Sequence, residues 1–195
     1  VFVLGAGMAG SNAAWIAVGM EAEVIVVDKN LDRLRFIDQI HKGRITTLMS
    51  DRLTLEQRVR EADVVIGSVL VPGARAPKLV TEDMIASMRT GAVAIDIAID
   101  QGGCIETSHM TTHSDPTYVM HGVVHYCVGN MPGAVPNTST YALTNVTLPY
   151  AIAISSRGLE EAVRTDPVLA FGVNVYAGEV GPIQGLTKFV PRLKR

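Results

Sequence analysis

The sequence predicts an α/β protein built on a doubly wound parallel sheet, and three observations carry that expectation. Short apolar, β-branched runs alternate with segments of helical period. Those runs are apolar throughout, as strands covered on both faces require. A glycine-rich turn joins the first run to the first helical segment, where a sheet of this kind places its ligand turn.

Taken in order, Val1–Leu4 and Val24–Val27 read as strands flanking a helix over Met8–Gly19. Leu31, Leu34, Ile37 and Ile40 recur at helical spacing, so 31–40 is a helix. Ile45–Met49 is a short strand, and Leu53–Ala62 is an amphipathic helix on Leu55, Val59 and Ala62. Val64–Val71 is a buried strand closed by Pro72-Gly73. Thr81–Met88 is a helix with Thr81 as N-cap and Glu82 and Asp83 at its positive end. Ala92–Ile99 is the next strand. Gly102 to Pro116, rich in Gly, Thr, Ser and His, reads as a long surface segment before a last strand, Val123–Val128. Thr138–Ser156 is mostly helical, with Asn137–Thr140 supplying its N-cap and Pro149 bending or breaking it. Leu159 to Arg195 carries short helical and turn signals, is too small for an independent core, and ends in the basic residues Lys188, Arg192, Lys194 and Arg195.

Composition limits the function classes. The 195 residues allow one large domain, or one domain and a substantial appendage. A hydrophobic fraction of 48% and a mean hydropathy of +0.26 exclude a disordered chain. Seventeen Lys and Arg face nineteen Asp and Glu with no basic block, so no nucleic-acid footprint is expected. No apolar run approaches the roughly 18 residues of a membrane span. Cys104 and Cys127 form neither C-x-x-C nor zinc spacing, which points to a reducing cytoplasm. Val1 already lies inside an apolar run, so further sequence is expected on its N-terminal side.

Gly5-Ala6-Gly7-Met8-Ala9-Gly10 is a G-x-G-x-x-G set directly after a strand and opening a helix. In such a turn the first glycine (Gly5) permits the tight bend, the second (Gly7) lets a pyrophosphate approach the backbone, and the third (Gly10) lets helix pack on strand. The phosphates then meet the free N–H groups and positive dipole of the helix N-terminus. Asp28 ends the second strand 18 residues beyond Gly10, near the offset of about 20 for a ribose-hydroxyl acceptor. A carboxylate there repels a 2′-phosphate and so selects NAD over NADP; Arg33 lies over the adenine, pairs with Asp28, or is solvated. The competing reading is a structural turn followed by a solvated acid.

Asp96 and Asp100 fall at the end of the Ala92–Ile99 strand, on the ligand side of the sheet. Asp100 is placed to orient a water, steady an ammonium or hold a ribose hydroxyl; before Gly102-Gly103 the simpler reading, favoured on these residues alone, is a turn former. The histidines His41, His109, His113, His121 and His125 include no H-E-x-x-H, and no metal site is expected.

Four tracts together resemble alanine dehydrogenase. They are the glycine turn; Val69-Leu70-Val71-Pro72-Gly73-Ala74-Arg75-Ala76-Pro77-Lys78-Leu79-Val80; Asp96-Ile97-Ala98-Ile99-Asp100-Gln101-Gly102-Gly103; and Asn130-Met131-Pro132 with Thr138-Ser139-Thr140-Tyr141-Ala142-Leu143-Thr144-Asn145. The resemblance is close from Val1 to about Tyr150 and loose beyond. It implies a Rossmann-type NAD-binding domain over 1–135, with 136–195 a helical C-terminal part of a second, substrate domain. The implied reaction is reversible, NAD-dependent oxidative deamination of L-alanine to pyruvate and ammonia, in a cytoplasmic homo-oligomer, commonly a hexamer. By likeness Asp100 is the catalytic aspartate. Met8, Ala9, Asp28, Arg33, Ser50, Val69, Leu70, Ile97, Ala98, Ile99, Asp100, Val128, Gly129, Asn130 and Met131 match cofactor-contact positions. The family's catalytic His and the Lys and Arg that hold the substrate carboxylate lie before the glycine turn and have no counterpart in this sequence. Two departures stand out: His109 replaces a cofactor-contacting Arg, and Ala153 and Arg157 replace a Glu and His associated with magnesium, so no metal is implied. The alternative is an NAD(H)-binding module without its own catalysis, like a transhydrogenase subunit, from which Gly102–Asn145 departs.

Overall fold

The structure, a computed structural model, describes residues 1–71, 74–176 and 179–180. The expected strand terminator Pro72-Gly73 and the basic tail lie outside the described residues. Two compact units divide at Met131–Pro132.

In the first unit the chain runs β1 (Phe2–Leu4), α1 (Met8–Gly19), β2 (Val24–Asp28), α2 (Leu31–His41), β3 (Ile45–Met49), α3 (Arg52–Glu61), β4 (Val64–Gly67), α4 (Glu82–Ala86), β5 (Val93–Asp96), β6 (Thr117–Met120) and β7 (Val123–Tyr126). The sheet order is β3-β2-β1-β4-β5-β7-β6, parallel throughout except for β6, which pairs antiparallel with β7. The order reverses between β1 and β4, the switch point at which such sheets bind ligands.

Alternation along β1 explains the two covered faces. Phe2 and Leu4 join Val65, Ile85, Ile105 and Val123 in one core. Val3, between them, joins Val24, Val26, Leu34 and Ile37 in the other. Helix starts follow local chemistry: Asn30 Oδ1 accepts from the N–H groups of Asp32 and Arg33 at 3.0 and 3.1 Å. Asp51 Oδ1 accepts from Thr54 N–H at 2.9 Å, and the expected cap Thr81 accepts from Met84 N–H at 3.3 Å.

Three expectations need correction here. The strands expected over Val64–Val71 and Ala92–Ile99 stop at Gly67 and Asp96, and the second passes into a 3-10 turn over Ile97–Gln101. Beyond β5 the apolar run continues because Ala98 and Ile99 of that turn are buried, whereas beyond β4 Val69 is half-buried and Leu70 and Val71 are exposed. Second, Gly102–Pro116 is not simply surface: Cys104, Ile105 and Thr107 are buried. Cys104 and Ile105 are drawn inward by Asp96, wholly buried at the end of β5, whose carboxylate accepts from Cys104 N–H at 3.2 Å and Ile105 N–H at 3.0 Å, while Thr107 is held by His125. Lys78 Nζ donates to the carbonyls of Gly102 and Ile105 at 2.8 and 2.9 Å. Third, β6 was not expected. It forms a hairpin with β7 through His121 (φ 53°) and Gly122 (φ 76°), both left-handed as a two-residue type I′ turn requires.

In the second unit, α5 (Pro136–Arg157) runs unbroken through Pro149. Proline removes one hydrogen bond from the ladder, and every residue from Tyr141 to Tyr150 is exposed, so water reaches the carbonyl left over. The expected hydroxyl cap is not formed: Pro136 opens the helix after Val135, and Ser139 Oγ donates instead to Pro132 O at 2.7 Å. Then follow α6 (Leu159–Thr165), α7 (Pro167–Gly172), β8 (Val175–Tyr176) and β9 (Glu179–Val180), the last two paired antiparallel. No helix among the described residues is long and apolar enough to cross a membrane.

Replacing Asp96 by Ala orphans two buried N–H groups, so Asp96→Ala is expected to destabilise the fold by about 3 kcal/mol. Urea unfolding of the two proteins measures the difference; an unchanged midpoint refutes it.

Candidate dinucleotide site

The site is the carboxyl edge of the parallel strands, and its centre is the glycine turn between β1 and α1. Gly5 has φ 102° and donates its N–H to Val27 O at 2.8 Å. A Cβ there would sit 2.9 Å from Ser68 O, and one on Gly10 would collide with Gly5 O and lie 2.5 Å from Ser68 Oγ. Gly7 is different. It is the N-cap of α1 with no side-chain cap, and a Cβ on it would meet nothing nearer than Arg33 Nη1 at 3.8 Å. Open space at a helix N-terminus, with uncapped N–H groups and a guanidinium beside it, fits the pyrophosphate of a dinucleotide.

Asp28 secures this turn. Its Oδ2 accepts from Ala6 N–H at 2.7 Å and its Oδ1 from Asn30 N–H at 2.8 Å. Each oxygen keeps a second lone pair for a ligand hydroxyl. Arg33 is exposed and forms no ion pair with Asp28 among the described contacts; its guanidinium turns towards Gly7. Met8 is 84% exposed and Ala9 is exposed, both on the first turn of α1. Ser50 donates its N–H to Asp28 O at 3.1 Å, bringing the end of β3 to the same edge. Val69 and Leu70 follow β4, Leu70 with 60% of its surface exposed.

Ser68 was not singled out in the sequence, yet it ties the two central strands at the turn. Its N–H donates to Leu4 O at 2.9 Å, and its hydroxyl donates to Leu4 O at 2.7 Å, with Gly5 O 3.3 Å away. The only sequence signal for it is a small hydroxyl residue interrupting the apolar run Val64–Val71.

After β5, Ile97 is half-buried, Ala98 and Ile99 are buried, and Asp100 is exposed. Asp100 receives the N–H of Asn130 on both carboxylate oxygens, each at 3.2 Å. Val128 is buried and Gly129 packs against Asp100, where a Cβ would lie 3.4 Å from Oδ1. Met131 is half-buried at the end of the unit. His109 is exposed and stacks on Tyr118, ring centroids 3.7 Å apart. Tyr118 Oη accepts from His109 N–H at 3.0 Å and donates to Thr107 O at 2.9 Å.

Cys104, Cys127 and His125 are inward and inert. Burial, reinforced by the Asp96 carboxylate, pushes the Cys104 thiol up to about 12, and burial also raises Cys127. Neither thiol supplies a thiolate near neutral pH. Burial lowers the His125 pKa, and its ring is locked in one tautomer. Val123 O can only accept, so Nδ1 carries the hydrogen (3.0 Å), and Thr107 Oγ1 donates to Nε2 (2.8 Å). Among the described residues no three His, Cys, Asp or Glu converge on a metal position.

Fold and site together define a dinucleotide-binding domain of the Rossmann type. The chain belongs to the family described as alanine dehydrogenase/PNT, C-terminal domain, whose model matches residues 1–182. An alanine dehydrogenase from Halomonas elongata is 54% identical over 180 residues, covering 92% of this chain and 48% of that protein. A solved L-alanine dehydrogenase structure superposes with a TM-score of 0.83 at 47% identity, over 97% of this chain and 52% of that one. A transhydrogenase structure from Sinorhizobium meliloti gives a TM-score of 0.61 at 29% identity, over 69% of this chain and 38% of that one. The chain thus spans about half the length of the curated relatives it matches.

Gly10→Ala is expected to open the turn and destabilise the first unit by about 2 kcal/mol or more, because the added carbon meets backbone rather than a movable side chain. A thermal melt equal to the parent's would contradict this packing.

Proposed function

We propose that this chain binds NAD and serves as the cofactor domain of an alanine dehydrogenase, with Asp100 as its catalytic carboxylate. The observation that carries the cofactor reading is the open cradle at Gly7, closed from below by Gly5, Gly10 and Ser68 and flanked by Asp28. Asp28 presents acceptors to the adenosine ribose and repels a 2′-phosphate. Met8, Ala9, Arg33, Ser50, Val69 and Leu70 surround the adenosine and pyrophosphate portion. Ile97, Ala98, Ile99, Val128, Gly129, Asn130 and Met131 line the reactive end, and His109 stands where relatives carry Arg.

Bound NAD supplies the hydride acceptor. Asp100 contributes by position: one N–H, that of Asn130, fixes its carboxylate, and the remaining lone pairs face outward to orient a water or the substrate ammonium. The alanine dehydrogenase comparison supports this substrate class more than the transhydrogenase-like alternative, since it extends over 97% of the chain against 69%. The second unit belongs, in this reading, to the substrate domain, and the whole acts in the cytoplasm as a homo-oligomer, a hexamer by resemblance. The apolar side chains exposed on α5, among them Tyr141, Leu143, Val146 and Ile152, support a covered role for that helix.

Two measurements test this. Calorimetric titration of the 195-residue chain should show NAD binding, and Asp28→Ala should weaken it by about tenfold, the worth of a charge-assisted hydrogen bond, while narrowing the preference over NADP. No heat with NAD defeats the reading. The same chain mixed with NAD and L-alanine should form no detectable NADH, because the carboxylate-holding residues implied by the resemblance are not in it. Steady turnover would refute that expectation.

A further inference from the structure

The Asp100 carboxylate is held from a segment distant in sequence. Its partner is the backbone N–H of Asn130, and Asn130 is one of four described non-glycine residues with positive φ, at 52°. A left-handed residue relates the peptide before it to the peptide after it in one fixed way. Whatever fixes the Asn130 carbonyl therefore fixes where its N–H points. A β-carbon makes this conformation unfavourable by roughly 1 kcal/mol for most residues; asparagine enters it more readily, and the contacts on both sides of Asn130 select it.

Those surroundings are visible. Thr111 forms a parallel bridge with Val128, donating its N–H to Cys127 O at 2.9 Å and accepting from Gly129 N–H at 3.1 Å. With 111 beside 128, residue 113 comes abreast of residue 130. The loop is closed on itself by Thr111 Oγ1 to Pro116 O (2.9 Å) and by Asp115 N–H to Thr112 Oγ1 (3.2 Å), which presents His113 outward. His113 Nε2 then lies 3.1 Å from Asn130 O. A carbonyl only accepts, so Nε2 carries the hydrogen and the imidazole donates.

We propose that His113 is a positioning residue for Asp100, acting through the Asn130 backbone: it holds the Asn130 carbonyl, keeps that residue left-handed, and so aims its N–H at both carboxylate oxygens. The importance for catalysis rests on the role given to Asp100 above; the positioning does not.

The test is NMR of the isotope-labelled 195-residue chain. Asn130 should show the strong intraresidue HN–Hα cross-peak of positive φ, and an amide proton shifted downfield relative to the Asp100→Asn variant. In His113→Ala both signatures should be lost, and in His113→Gln, whose Nε2 amide can donate to the same carbonyl, both should return. Unchanged Asn130 signals in His113→Ala, or failure of Gln to restore them, overturns the proposal. If His113→Ala does not fold, as judged by the core amides of Val3 and Val26, the unaltered chain decides: the ¹⁵N spectrum of the His113 ring must show the proton on Nε2, and a ring protonated on Nδ1 alone overturns it. None of these signals depends on dinucleotide. Failure of the cofactor reading shows as a flat NAD titration, and failure of this proposal as indifferent Asn130 signals.

Discussion

One missing carbon organises this molecule. At the centre of the sheet, α1 passes so close to the end of β1 that Gly10 has no space for a Cβ against the Gly5 carbonyl. That approach lets the helix start immediately beside the strand, aiming uncapped N–H groups across the switch point between β1 and β4. Ser68 closes the turn from the β4 side and Asp28 from the β2 side. Three strand ends are thereby tied to one another before any ligand is present, and the space left over lies at Gly7.

A second set of contacts does for the far side what the glycine turn does for the near side. Asp96 is fully buried, yet its carboxyl oxygens are met by two backbone N–H groups from the chain that returns after Asp100. Lys78 holds the same returning segment by its carbonyls. Asp100 therefore projects from a turn anchored on both flanks, and the Asn130 backbone approaches it from a third. A carboxylate so placed keeps lone pairs free while its orientation is fixed by main chain.

The parallel strands and their helices were legible because their runs carry strong local signals: apolar β-branched strands, capped helix starts, and a glycine turn at the expected junction. The resemblance further singled out Asp100, which the structure places in the turn after β5. Less legible was whatever depends on partners distant in sequence. Cys104 and Ile105 sit in a polar-looking segment, and only the pull of Asp96 explains why they are core. β6 follows Pro116 and turns on His121-Gly122, without the Asn-Gly or Asp-Gly pair that marks such hairpins most clearly. Ser68 and His113 act through backbone atoms of other segments, and no pattern of side-chain spacing reports that.

The β6–β7 hairpin also bears on how the sheet assembles. Its two strands are joined by a two-residue turn, so closing it costs little chain entropy. By contrast, β5 must wait for a partner whose first residue lies beyond a long connection, since Val93 pairs with Val124. Local closure preceding distant docking is the order that contact separation favours. The His125 imidazole belongs to this hairpin, bonded to Val123 within its own strand. It thus enters the interior already carrying one of its two hydrogen bonds, and a polar ring reaches the core without first being stripped of every partner.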